Sequence, residues 1–110
     1  MKKKFLPAFE GIITGFEHRS IALQFLLGLL AVIAGIFLKL SSMEWIAVII
    51  CIGLVISAEF LNTAIEFLCD FITESHHPAI KEVKDLAAAG VLITAGTAFL
   101  TAMVILIRHI

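Results

Sequence analysis

Four polar side chains within thirteen residues carry most of the chemistry this chain can offer. In the run from Ala58 to Asp70, Glu59, Asn62, Glu66 and Asp70 stand at i, i+3, i+7 and i+11. On a helix of 3.6 residues per turn that spacing puts them on one face. The same segment begins as an apolar, membrane-spanning run, and a carboxylate at membrane depth costs at least ~2.5–3.5 kcal/mol on insertion scales. Two glutamates on such a face call for burial against polar partners in a bundle, a position at the water interface, or a function in cation binding or proton transfer. Further along, His77, Lys84 and Asp85 bring an imidazole, an ammonium and another carboxylate.

The elements that must position these groups follow from composition and period. The chain has 110 residues, of which 61% are hydrophobic. Soluble domains use about 45–50%, and a chain this short has too little interior to hide the excess. Lipid must cover the remainder. The net charge of −1 gives no sign of nucleic-acid binding. Cys51 and Cys69 fall on one helix, roughly 27 Å apart at 1.5 Å per residue, so they do not form a disulfide with each other. The N-terminal Lys2-Lys3-Lys4 cluster is not followed by an uninterrupted apolar core, which argues against a cleaved signal peptide.

Residues 5–17 repeat Phe5, Phe9, Ile12, Ile13 and Phe16 at helical spacing, with Glu10 and Glu17 off the stripe. They read as an amphipathic helix lying in the membrane interface. Residues 21–40, 45–72 and 86–107 read as three spanning helices, each with enough apolar length to cross ~30 Å of hydrocarbon. Ser41 to Glu44 make a short polar link, with Trp45 where an interfacial anchor belongs. In the third span Gly90, Thr94, Ala98 and Thr101 fall near one stripe, either for close helix approach or as the Gly/Ala background common in spans. The polar stretch 73–85 reads as a loop in which Pro78 breaks any continuous helix or starts a new one. Lys2, Lys3, Lys4, Arg19, Lys81 and Lys84 gather on one side, Lys39 and Arg108 on the other, so the positive-inside rule puts the N-terminus and the loop in the cytoplasm.

The acidic face of the second span therefore meets the polar loop at the cytoplasmic boundary. Carboxylates that bind Mg²⁺ through oxygen, a lysine that neutralises phosphate and a carboxylate that accepts a hydroxyl proton are the parts phosphoryl transfer needs. The depth makes a lipid hydroxyl the natural acceptor.

Glu59-Phe60-Leu61-Asn62-Thr63-Ala64-Ile65-Glu66 resembles the E-x-x-N-[ST]-A-I-E signature of the prokaryotic diacylglycerol kinase family, which includes undecaprenol kinases. His77-Pro78 and Lys84-Asp85, leading into an Ala/Gly-rich span, agree with it. The resemblance covers residues 5–107. It implies an all-α integral-membrane lipid kinase in a single domain, 1–110: an interfacial helix plus three spans in a homotrimeric bundle. Active sites would be shared between subunits in the bacterial inner membrane, with ATP as phosphate donor and Mg²⁺ as metal. By the same resemblance Glu59 is the catalytic base and Glu66 a Mg²⁺ ligand. Asn62, Lys84 and Asp85 belong to the nucleotide site, with Glu74 and His77 toward its adenosine end. Asp70 fits the extended motif in a structural role.

One part departs from the family pattern. A second metal-binding glutamate is expected before the first span. Ungapped counting from Glu59 puts His18 there, and a shift of one residue puts Glu17 there. Glu17 is the better ligand, because Mg²⁺ favours carboxylate oxygen over imidazole. Undecaprenol and diacylglycerol remain rival acceptors, the His77-Pro78 and Lys84-Asp85-Leu86-Ala87-Ala88-Ala89 runs leaning to undecaprenol. The chief alternative, a small transporter or ion-pathway subunit, calls for acids across the full membrane depth, whereas these gather at one end of a span. A non-catalytic assembly subunit leaves the joint spacing of Glu59, Asn62, Glu66, Lys84 and Asp85 without a reason. No P-loop or kinase-type glycine-rich loop is present.

Overall fold

A computed structural model describes residues 2–73 and 77–110, with only the backbone of residues 2–4. It contains four helices: α1 (Lys2–Gly15), α2 (Arg19–Leu38), α3 (Ser42–Ile72) and α4 (Pro78–His109). The described residues form no strand. Helices α2, α3 and α4 are each long and apolar enough to cross a membrane, and α1 is a shorter apolar helix. Both α2 and α4 pack on α3.

Local chemistry sets the helix ends. The Ser41 hydroxyl accepts from the Glu44 N–H at 3.3 Å, and a Glu44 carboxylate oxygen accepts from the Ser41 N–H at 2.9 Å. This reciprocal capping box satisfies two amide donors that the first turn leaves open, and it starts α3 at Ser42 instead of the expected 45. Lys39 closes α2 in the left-handed region at φ 56°. The Lys39 and Leu40 amides then donate to the carbonyls of Ile36 and Gly35. Gly35 is required here, because a Cβ on it would lie 2.8 Å from Trp45 Cη2. Trp45 thus packs on the end of α2 and fixes the α2–α3 turn.

The largest departure from expectation is at α4. The stretch 73–85 does not run as a loop to residue 85, since the helix begins at Pro78. Proline occupies the first helical position, where its missing N–H costs nothing and its φ is already helical. The His77 Nδ1 accepts from the Ala79 N–H at 3.1 Å, and Lys81 pairs with Asp85 one turn along at 2.6 Å. A hydropathy pattern registers lipid contact, not helicity, and so stops short of these polar turns. At 1.5 Å per residue, α3 and α4 run to roughly 45–48 Å, longer than the ~30 Å hydrocarbon layer.

The packing is that of a membrane bundle. Only Ile21, Cys69 and Ile105 among the described apolar side chains are buried, while Leu29, Phe37, Leu92, Phe99 and many others stay exposed. Both cysteines are free thiols. Of the small residues in α4, Ala98 and Thr101 line an apolar cleft of about 290 Å³ between α2 and α4, over α3. A Cβ on Gly90 would meet no described atom within 4 Å, so Gly90 serves no close approach among the described residues.

Candidate active site

The C-terminal half of α3 carries the acidic face as its spacing requires. Glu59 and Asn62 are buried, whereas Glu66 and Asp70, nearer the helix end, are exposed. Asn62 Nδ2 donates to Glu66 Oε1 at 3.1 Å, an i, i+4 bond that steers the Glu66 carboxylate along the helix. Asn62 Oδ1 is buried and has no hydrogen-bond partner among the described residues. A buried acceptor left without a donor costs about 1–3 kcal/mol, so this oxygen is a feature to explain. Glu59, only 7% exposed, makes no hydrogen bond or ion pair with another described residue. A carboxylate and an amide oxygen therefore stand open side by side on one helix face.

Lys84 is brought to this face from α4. Its Nζ lies 2.6 Å from Asp70 Oδ1, a pair partly exposed on both sides. Asp70 thus pairs across from α3 to α4 and holds a lysine one turn from Glu66. Asp85 turns instead to Lys81, so the adjacent Lys84 and Asp85 engage different partners. His77 is the N-cap of α4 and uses Nδ1 for that purpose. Glu74 lies outside the described residues.

Glu17 and His18 occupy the turn between α1 and α2, where the amides of residues 16–18 donate to the carbonyls of residues 13–15 at 2.9–3.2 Å. Neither side chain is bonded to the acidic face among the described residues. The turn is nevertheless carried toward it by aromatic packing. Phe16 stacks on Phe25 with ring centroids 4.6 Å apart, and Phe25 meets Phe60 edge-on at 6.3 Å. Phe60 is the residue after Glu59.

Sequence reasoning missed one polar cluster, at the opposite end of α3. The His109 Nε2 sits 3.1 and 3.0 Å from the two oxygens of Glu44, joining the end of α4 to the start of α3. The Ser-x-x-Glu spacing from Ser41 to Glu44 was the local signal for its capping half. Nothing local signals the histidine, which lies a whole span away.

The described residues of one chain gather no group of three or more His, Cys, Asp or Glu side chains suited to hold a metal. The donors present on the acidic face are oxygens, as Mg²⁺ prefers. Mg²⁺ is commonly held by one or two carboxylates together with substrate phosphates, and the open carboxylates and the orphaned Asn62 oxygen fit that mode.

Comparison with known proteins agrees with the geometry. Residues 7–106 match the family described as prokaryotic diacylglycerol kinase. The chain is 38% identical over 94 residues to an undecaprenol kinase of Bacillus subtilis (strain 168), covering 84% of this chain and 76% of that protein. It is 33% identical over 81 residues to a diacylglycerol kinase of Escherichia coli (strain K12), covering 74% of this chain and 66% of that protein. Three apolar helices, an acidic face at one end of the second and a family match over nearly the whole length lead to one conclusion: this chain belongs to the prokaryotic diacylglycerol kinase family of membrane lipid kinases.

Proposed function

We propose that the protein transfers the γ-phosphoryl group of ATP to the hydroxyl of a membrane lipid alcohol at the cytoplasmic face of the bacterial inner membrane. The observation that carries this reading is the buried, unpaired Glu59 beside the orphaned Asn62 oxygen, on a helix long and apolar enough to cross a membrane. Glu59 takes the proton of the lipid hydroxyl. The hydroxyl oxygen bonds to the γ-phosphorus as the bond from phosphorus to the β,γ-bridging oxygen breaks, giving a phosphorylated lipid and ADP. Positioning and electrostatic stabilisation account for most catalysis in such transfers.

Glu66, steered by Asn62, and Glu17 would hold Mg²⁺, which supplies charge neutralisation at the phosphates. Lys84 neutralises phosphate charge, with Asp70 holding it in place between turnovers. Asp85 and His77 serve the nucleotide side, a role the family resemblance extends to Glu74. The apolar cleft reaches Val55 and Ile56, one turn before Glu59, so the hydrocarbon of an acceptor can lie next to the base that receives its hydroxyl. The family resemblance supports a homotrimer, and the open acidic face leaves room for neighbouring subunits to complete each site. The lysine and arginine distribution favours a cytoplasmic N-terminus.

Undecaprenol is the favoured acceptor, supported by the higher identity to the undecaprenol kinase than to the diacylglycerol kinase. Purified protein in mixed micelles, given labelled ATP and Mg²⁺, is offered undecaprenol and diacylglycerol separately. A higher kcat/KM for undecaprenol supports the assignment. A higher value for diacylglycerol reverses it, and no transfer to either removes both acceptors.

A further inference from the structure

Along α1 the side chains of residues 5–14 are exposed, and Gly15 alone is buried. What covers it is α3. A Cβ built on Gly15 would lie 2.4 Å from Phe60 Cε1 and 2.5 Å from Phe60 Cζ, with Ile21 Cγ2 at 3.4 Å. Carbon atoms in contact rest about 3.5–4.0 Å apart, so a methyl group here moves the ring or the turn by roughly 1 Å. The ring's room to swing is narrowed by Phe25, which meets it edge-on and is itself stacked on Phe16. Ile21, 1% exposed, closes the other side. Among the described residues of α1, the buried one is thus seated on Phe60, the residue following the proposed base.

We propose that Gly15 is a positioning residue for the transfer: its missing Cβ lets the α1–α2 turn seat on Phe60 and fixes the interfacial helix relative to Glu59. This inference rests on the kinase reading. Gly15 acts through Phe60, and touches neither substrate.

The molecule supplies its own control. Gly11 lies in the same helix, and a Cβ there would meet nothing within 4 Å. Gly11→Ala and Gly15→Ala make the same backbone change, one into open space and one into Phe60. Misplacement by 1 Å costs up to ~10²-fold in rate. Gly15→Ala is therefore expected to lower kcat/KM for the lipid alcohol by about 10-fold or more through a raised lipid KM, with the ATP KM unchanged. Gly11→Ala should match the parent. Leucine lacks the Cε1 and Cζ atoms in the way, so Gly15→Ala/Phe60→Leu should recover activity relative to Gly15→Ala.

A second readout needs no activity. In a single-tryptophan protein, Trp45→Phe/Phe9→Trp, quenching by brominated lipids should change with Gly15→Ala and stay the same with Gly11→Ala. Equal behaviour of the two alanine variants in both assays overturns the proposal, as does a Gly15→Ala defect that Phe60→Leu does not relieve. A parent protein that transfers phosphate to no lipid alcohol overturns the kinase reading and the catalytic part of this one, and the quenching comparison then decides the anchoring by itself.

Discussion

At its N-terminal end α3 leaves its polar groups paired. Glu44 is buried, yet its carboxylate accepts from the Ser41 amide and faces the His109 ring through both oxygens, while the Ser41 hydroxyl accepts in return from the Glu44 amide. Toward its C-terminal end, the same helix buries Glu59 and Asn62 and leaves a carboxylate and an amide oxygen open. Buried polar groups in a folded chain are nearly always satisfied. One helix thus shows both a structural use of buried polarity and a cluster kept open for something else. The difference teaches where to look for chemistry: the informative carboxylate is the unpartnered one.

Substitutions at the two ends should therefore separate activity from stability. The largest effect is expected at Glu59. Glu59→Gln removes the proposed base, and kcat should fall by ~10²–10⁴-fold with an unchanged unfolding midpoint. Next comes Asn62→Ala, which frees the Glu66 carboxylate and deletes the orphaned oxygen. Activity should fall by about 10²-fold through misplacement, while stability holds or rises because an unsatisfied buried acceptor has gone. Kinetics and thermal unfolding on the same samples check both.

At the other end the order reverses. Ser41→Ala should cost about 1 kcal/mol of stability through loss of the N-cap and leave kcat at the parental value, as measured by denaturation and assay in one detergent. The smallest effect belongs to the exposed Lys84–Asp70 pair, since surface ion pairs contribute little to stability. Asp70→Asn should leave the unfolding midpoint in place and leave the ATP KM equal or lower, because Lys84 is released toward phosphate. Lys84→Ala should raise that KM. A raised ATP KM in Asp70→Asn would mean that the pair itself shapes the nucleotide site.

The sequence made legible what local pattern encodes. Three long apolar runs separated by polar links announced the spans, and the spacing of Glu59, Asn62, Glu66 and Asp70 announced a shared face because helical period is a local property. Other features depend on how the chain folds back. Lys84 meets Asp70 across a helix boundary, and His109 meets Glu44 from a different span. Gly15 reads as an ordinary turn residue until Phe60 is placed against it. The start of α4 was legible as one of two readings of Pro78, and what hydropathy could not show is that the polar turns carrying Lys81 and Asp85 continue from it into the span. The capping box at Ser41 was readable and would have set the start of α3.

The central claim, that chemistry belongs to the open end of α3, is tested most directly by one assay on three proteins. Transfer of labelled phosphate from ATP to undecaprenol and to diacylglycerol is measured for the parent, Glu59→Gln and Glu44→Gln, each checked for its unfolding midpoint. The account predicts transfer by the parent, loss of transfer with intact folding in Glu59→Gln, and a lowered midpoint with retained turnover in Glu44→Gln. Parental turnover in Glu59→Gln, or abolished turnover in a folded Glu44→Gln, would contradict it.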